Sequence, residues 1–147
     1  MGVMDKFRLD GKVAWITGAS YGLGMAYAKA YAEAGAKIVF NDVNPENFER
    51  GMDEYKKAGI EVYGALCDVT KEDQVEKFVA DAAAAVGPID ILVNNAGIIK
   101  RIPMHEMALK DWQLVIDIDL TGPFICSKAV LPHMMEQKAV RSSMPAL

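Results

Sequence analysis

A chain of 147 residues, 52% apolar and 24% charged, holds enough hydrophobic material for one substantial core, so it fits a single soluble globular unit or part of a larger one. Its formal net charge of −4 and the scatter of its 16 Lys and Arg exclude a basic field for nucleic acid. The sequence offers no apolar run of the length a membrane helix needs and no apolar signal segment in the opening MGVMDKF. Its two cysteines, Cys67 and Cys126, suit buried reduced thiols better than a disulfide framework, so a cytoplasmic protein is expected.

Short apolar runs rich in β-branched residues alternate with longer helical patterns, as in βαβ units around a parallel sheet. Val13–Thr17 (VAWIT) reads as a first strand, and the Ala-rich stretch from about Leu23 to Gly35 as the helix after it. Lys37–Phe40 forms the second strand. Asn44 then suits an N-cap, with Pro45 in the first turn and Glu46 against the positive end of a helix that stops near Gly59. The third strand spans Ile60–Cys67, followed by Thr70 as the cap of a helix with Glu72 and Asp73 in its first turn, running to Val86. Ile89–Asn95 is a strand of the kind buried on both faces, and helical patterning follows from about Lys110 to Lys138, with Pro123 and Pro132 as points of kinking or division. Right-handed crossovers favour strand order 3-2-1-4, a Rossmann-type doubly wound α/β half-sheet. Its ligand belongs outside the carboxyl ends of the strands, where the order switches between the first and fourth.

The unusual residues fall at that edge. In TGASYGLG, Gly18, Gly22 and Gly24 follow the first strand, where a helix start presents unpaired N–H groups and partial positive charge to a pyrophosphate. Gly18 suits the tight turn, Gly22 and Gly24 the approach of phosphate and of helix to sheet, and Ser20 adds a hydroxyl; a tight turn without ligand is the alternative. Asp42 ends the second strand and is placed either to accept from an adenosine ribose or as a surface turn residue. A carboxylate there repels a 2′-phosphate, and neither Tyr21 nor Asn41 offsets it, so NAD is preferred, with NADP possible. Asp68 either meets an adenine amino group or forms an Asx-type turn, and Asn94 in NNAG either flanks the inner ribose or ties adjacent strands.

With TGASYGLG, Asp42, CDVT and NNAG in this order, the chain resembles the short-chain dehydrogenase/reductase family over residues 8–138. The segments NDVN, NNAGIIKR and VIDIDLTGPFICSKAV are most similar to members that act on keto-sugar acids such as gluconate and 5-ketogluconate. The resemblance implies reversible hydride transfer between NAD(P) and a secondary alcohol or ketone of a sugar acid or polyol, in a homo-oligomer of longer chains. On this reading the cofactor-binding set is Thr17, Gly18, Ser20, Tyr21, Gly22, Leu23, Gly24, Asp42, Asp68, Val69, Asn94, Ala96 and Gly97.

The family's chemistry uses a Tyr as general acid/base, a Lys four residues later and a Ser on the substrate oxygen. Here the residues four beyond the tyrosines are Met25, Tyr31, Gly35, Gly59 and Cys67, so Y-x-x-x-K is absent. The chain therefore reads as an incomplete NAD(P)-binding domain over residues 1–138 with a non-family tail over 139–147, inactive alone or serving as a non-catalytic binding fragment. The tail shows no apolar strand pattern, which leaves the fourth strand as an expected open edge. Asp119, where many members carry an Asn that anchors a proton-relay water, is the candidate catalytic residue, with a helix-surface acid as the alternative. Lys100 and Arg101 stand either at the cleft mouth for a substrate carboxylate or as solvated loop charges. His105 and His133 have no ligand-spaced partners, so no metal is expected.

Overall fold

The computed structural model describes residues 1–137 and the backbone of Ser142 and Ser143. Five parallel strands lie in the order β3-β2-β1-β4-β5: β1 Val13–Thr17, β2 Lys37–Asp42, β3 Val62–Leu66, β4 Ile91–Val93 and β5 Ser142–Ser143. The crossovers carry α1 Gly22–Glu33, α2 Pro45–Lys57, α3 Glu72–Val86, α4 Leu109–Ile116 and α5 Gly122–Glu136. A short 3-10 turn, Met4–Phe7, precedes β1.

Alternation along a strand sends successive side chains to opposite faces, and β1 feeds two cores in this way. Val13 and Trp15 join Val39, Phe78, Leu92, Val130 and Met134 under α3 and α5, whereas Ala14 and Ile16 join Met25, Ala28, Ile38, Phe40 and Tyr55 under α1 and α2. Covered on both faces, β1 has no polar side chain before Thr17. Asn44 caps α2 as its residue type predicts, accepting from Asn47 N at 3.0 Å.

Two expectations are corrected and a third is narrowed. Thr70 does not cap α3: its N–H and hydroxyl both donate to Asp68 Oδ1, which holds the side chain in the Asp68 turn and away from the helix amides, and the N-cap is Lys71. The helical segment after Lys110 is divided beside Pro123, one of the two prolines named, and is not divided at Pro132. Pro132 lies inside α5 and Pro123 in its first turn, and the irregularity is a π-helical turn, Asp117–Thr121, between α4 and α5. The fourth strand is not an open edge, since β5 pairs with it at Leu92↔Ser142 and Val93↔Ser143. Ladder pairing uses backbone groups, so a Ser-Ser dipeptide joins without an apolar pattern. Lys138 and the remainder of the 139–147 tail lie outside the described residues.

Candidate functional site

The carboxyl ends of β1 to β4 and the turns after them enclose a cleft of ≈ 360 Å³. Gly18, Tyr21, Gly22, Leu23 and Gly24 line it from the first crossover, Asp42 from the second, Asp68 and Val69 from the third, and Ala96 and Gly97 from beyond β4. The topology thus brings ten of the proposed cofactor residues to one concavity. Thr17, Ser20 and Asn94 do not line it.

Thr17 ends β1 almost fully buried, and its hydroxyl is a node. Oγ1 accepts from Asn95 N and Ala96 N at 2.9 Å each, and Asn95 Nδ2 donates back to Thr17 O at 3.0 Å. The strand tie that the sequence reading offered to Asn94 therefore falls to Asn95; Asn94 Nδ2 instead reaches Ser127 Oγ at 3.3 Å.

The glycines divide their work. Gly18 has φ +64, and a Cβ there would stand 3.0 Å from Ala96 Cα, so turn and crossing both require it. Gly22 has φ +62 and would meet nothing within 4 Å, which leaves the first turn of α1 open to a ligand. Gly24 serves packing: a Cβ would meet the Asn95 side chain and stand 2.9 Å from Ala19 Cα. Tyr21, at the N-cap, contributes no side-chain acceptor, so the first amides of α1 are left for an anion. Ser20 is 3% exposed, and its hydroxyl has no partner among the described residues. It lines an adjoining cavity of ≈ 590 Å³ shared with Tyr21, Gly22, Asn47 and Arg50.

Asp42 is 9% exposed and commits one oxygen, Oδ1, to Asn44 N at 2.8 Å. Asp68 Oδ1 accepts from Thr70 N at 2.9 Å and Thr70 Oγ1 at 2.7 Å, so the Asx-type turn is formed. Half-buried Asp119 sits in the π-helical turn, and its Oδ1 accepts from Ile98 N at 2.8 Å. It anchors the loop after β4 and is more than a helix-surface acid. Lys100 is engaged with Asp111 at 3.6 Å, while Arg101 is exposed. Among the described residues no three His, Cys, Asp or Glu cluster as metal ligands would.

Sequence reasoning missed a brace beneath the rim. Trp15 Nε1 donates to Asn41 Oδ1 at 2.9 Å and Asn41 Nδ2 to Cys67 O at 3.0 Å, a buried chain that links the middle of β1 to the ends of β2 and β3. Its one signal was an Asn inside an apolar strand, where burial demands a partner. Cys67 and Cys126 are free and buried, and burial pushes both thiols up to about 12.

The profile of the short chain dehydrogenase family matches residues 12–141. A 2-dehydro-3-deoxy-D-gluconate 5-dehydrogenase of Formosa agariphila is 49% identical over 137 residues, which are 92% of this chain and 52% of that protein. A crystal structure of 2-keto-3-deoxy-D-gluconate dehydrogenase from Streptococcus agalactiae superposes with TM-score 0.86 at 54% identity, covering 97% of this chain and 53% of that one. A gluconate 5-dehydrogenase from Burkholderia cenocepacia, in complex with NADP and tartrate, gives TM-score 0.88 at 38% identity over 97% of this chain and 56% of its own. The chain thus spans about half the length of the relatives it matches.

Proposed function

The chain belongs to the short-chain dehydrogenase family, and from that premise we propose that its cleft binds a nicotinamide dinucleotide, NAD in preference to NADP, for an oxidoreductase acting on a sugar acid or polyol. The observation that carries this reading is the meeting, in one cleft, of the uncapped start of α1 and the Asp42 carboxylate at the end of the neighbouring strand. The residues present fit such a group: the space beside Gly22 leaves the helix amides reachable, and the Ser20 hydroxyl is unpartnered.

Gly18, Ser20, Tyr21, Gly22, Leu23 and Gly24 hold the diphosphate, with Thr17 setting the turn from beneath. Asp42 accepts from the adenosine ribose, Asp68 and Val69 meet the adenine, and Asn94, Ala96 and Gly97 flank the inner ribose. Bound NAD supplies a hydride acceptor. Asp119, with Oδ1 on Ile98 N, holds the inner loop, and its remaining oxygen is the candidate to accept from a proton-relay water. A hydride leaves an alcohol efficiently only when a base takes its proton, and this sequence has no Y-x-x-x-K to do so. The isolated chain therefore binds without turnover. Names of the relatives support a gluconate-like substrate and a homo-oligomer is the assembly expected of the longer chains.

Arg50 brings positive charge to the adjoining cavity, and comparing the two dinucleotides measures how far it offsets the repulsion of a 2′-phosphate by Asp42. In titrations of the purified chain, Asp42→Ala should weaken NAD about tenfold and NADP less. A melting temperature unmoved by millimolar NAD would remove the binding reading. Turnover of gluconate or 5-ketogluconate with NAD(H) would remove the inactivity. A second reading, a non-catalytic subunit-binding fragment, draws on the exposed apolar side chains Leu109, Trp112, Leu120 and Phe124.

A further inference from the structure

We propose that α2 is the seat of the phosphate turn, with Tyr55 and Gly51 as positioning residues for Gly18–Gly22; the inference rests on reading the cleft as a dinucleotide site. Tyr55 is fully buried, and its hydroxyl donates to the carbonyl of Ala19 at 2.6 Å, across 36 residues of sequence. All the peptide bonds described are trans, so the Ala19 carbonyl and the Ser20 N–H point in opposite directions, and holding one fixes the other. The Tyr55 bond thereby sets the plane of a peptide in the middle of the turn. Burial raises the Tyr55 hydroxyl well above its ordinary pKa, which keeps it a donor throughout the physiological range.

Gly51 lies one helical turn before Tyr55, on the same face. A Cβ at Gly51 would stand 2.9 Å from Ser20 Cα and 3.0 Å from Ser20 O, so the helix backbone rests directly on the turn. Glycine inside a helix is unfavourable, which means this contact is maintained against local propensity. The Tyr55 ring also packs on Phe40 of β2, with centroids 5.0 Å apart, two residues before Asp42. One element thus supports both the phosphate turn and the strand that carries the ribose acid, and it holds them in register.

The contact separates from a purely structural one by the ligand it affects. Affinities of the 147-residue chain for NAD, ADP and adenosine are measured for the parent, Tyr55→Phe and Gly51→Ala, together with 15N relaxation of Ala19–Gly22 in the ligand-free chain. Each variant should bind NAD and ADP roughly three- to tenfold more weakly and adenosine unchanged, because only the first two carry a diphosphate. Order parameters of the turn should fall from about 0.85 toward 0.6 in Tyr55→Phe. Gly51→Ala raises the helix propensity of α2 while its Cβ presses on the Ser20 backbone, so it displaces the turn without weakening the helix locally and is the second arm of the test should Tyr55→Phe unfold. Equal losses for all three ligands, or unchanged diphosphate binding, would overturn the inference. If the parent chain does not bind NAD, the dinucleotide reading fails by itself, and the relaxation comparison still decides whether Tyr55 holds the turn.

Discussion

The two flanks of the sheet are held by different means. On the β1–β3 flank, the strands are cross-linked by buried polar groups: the Trp15–Asn41–Cys67 chain, the Tyr55 bond to Ala19 and the Asp42 turn. On the β4 flank the outer partner is a two-residue strand, and α4, the π-helical turn and α5 leave Leu109, Trp112, Leu120 and Phe124 exposed. The candidate site lies mostly on the braced flank, and its inner rim, Ala96 and Gly97 beyond β4, is tied to it mainly through Thr17, Asn95 and Asp119.

Breaking the braced flank should cost most. Trp15→Ala removes a fully buried aromatic side chain and strips Asn41 of a donor, and should lower unfolding free energy by roughly 3–5 kcal/mol in urea titrations. A loss near 1 kcal/mol would mean that the brace is redundant. Thr17→Val, at the junction of the two flanks, leaves two backbone amides without their acceptor and should cost about 2 kcal/mol. Equal stability of this variant would show that water takes over those bonds.

The thiols sharpen the comparison by pH. Cys67 and Cys126 have folded pKa values raised by burial from 9.0 to about 12, so their contribution is complete below pH 9 and is lost as pH rises toward about 12. The decline should reach roughly 1 kcal/mol per thiol by pH 10, with a Cys67→Ala/Cys126→Ala chain showing a flatter profile. Smallest of all, Phe124→Ser on the exposed flank should change stability by less than about 0.5 kcal/mol. A larger destabilisation would indicate that this face is covered in solution.

Local chemistry was enough to read most of the molecule. Short continuous apolar runs rich in β-branched residues, punctuating glycines and the Asn44 cap indicate the first four strands and three helices in order, because each signal acts over a few residues, and handed crossovers then leave 3-2-1-4 as the favoured order. The glycine turn, Asp42 and NNAG were legible as one edge for the same reason. Tertiary structure decided what depends on partners distant in sequence. Whether Asn94 or Asn95 ties the strands is set by which amide meets Thr17, and Gly24 proves to serve packing because Asn95 arrives beside it. Ser142 and Ser143 join the sheet through backbone pairing that needs no apolar signature. The supports of the candidate site, Trp15 to Asn41 and Tyr55 to Ala19, are single hydrogen bonds between residues 26 and 36 positions apart, and no local pattern encodes a contact made only once the chain has closed around it.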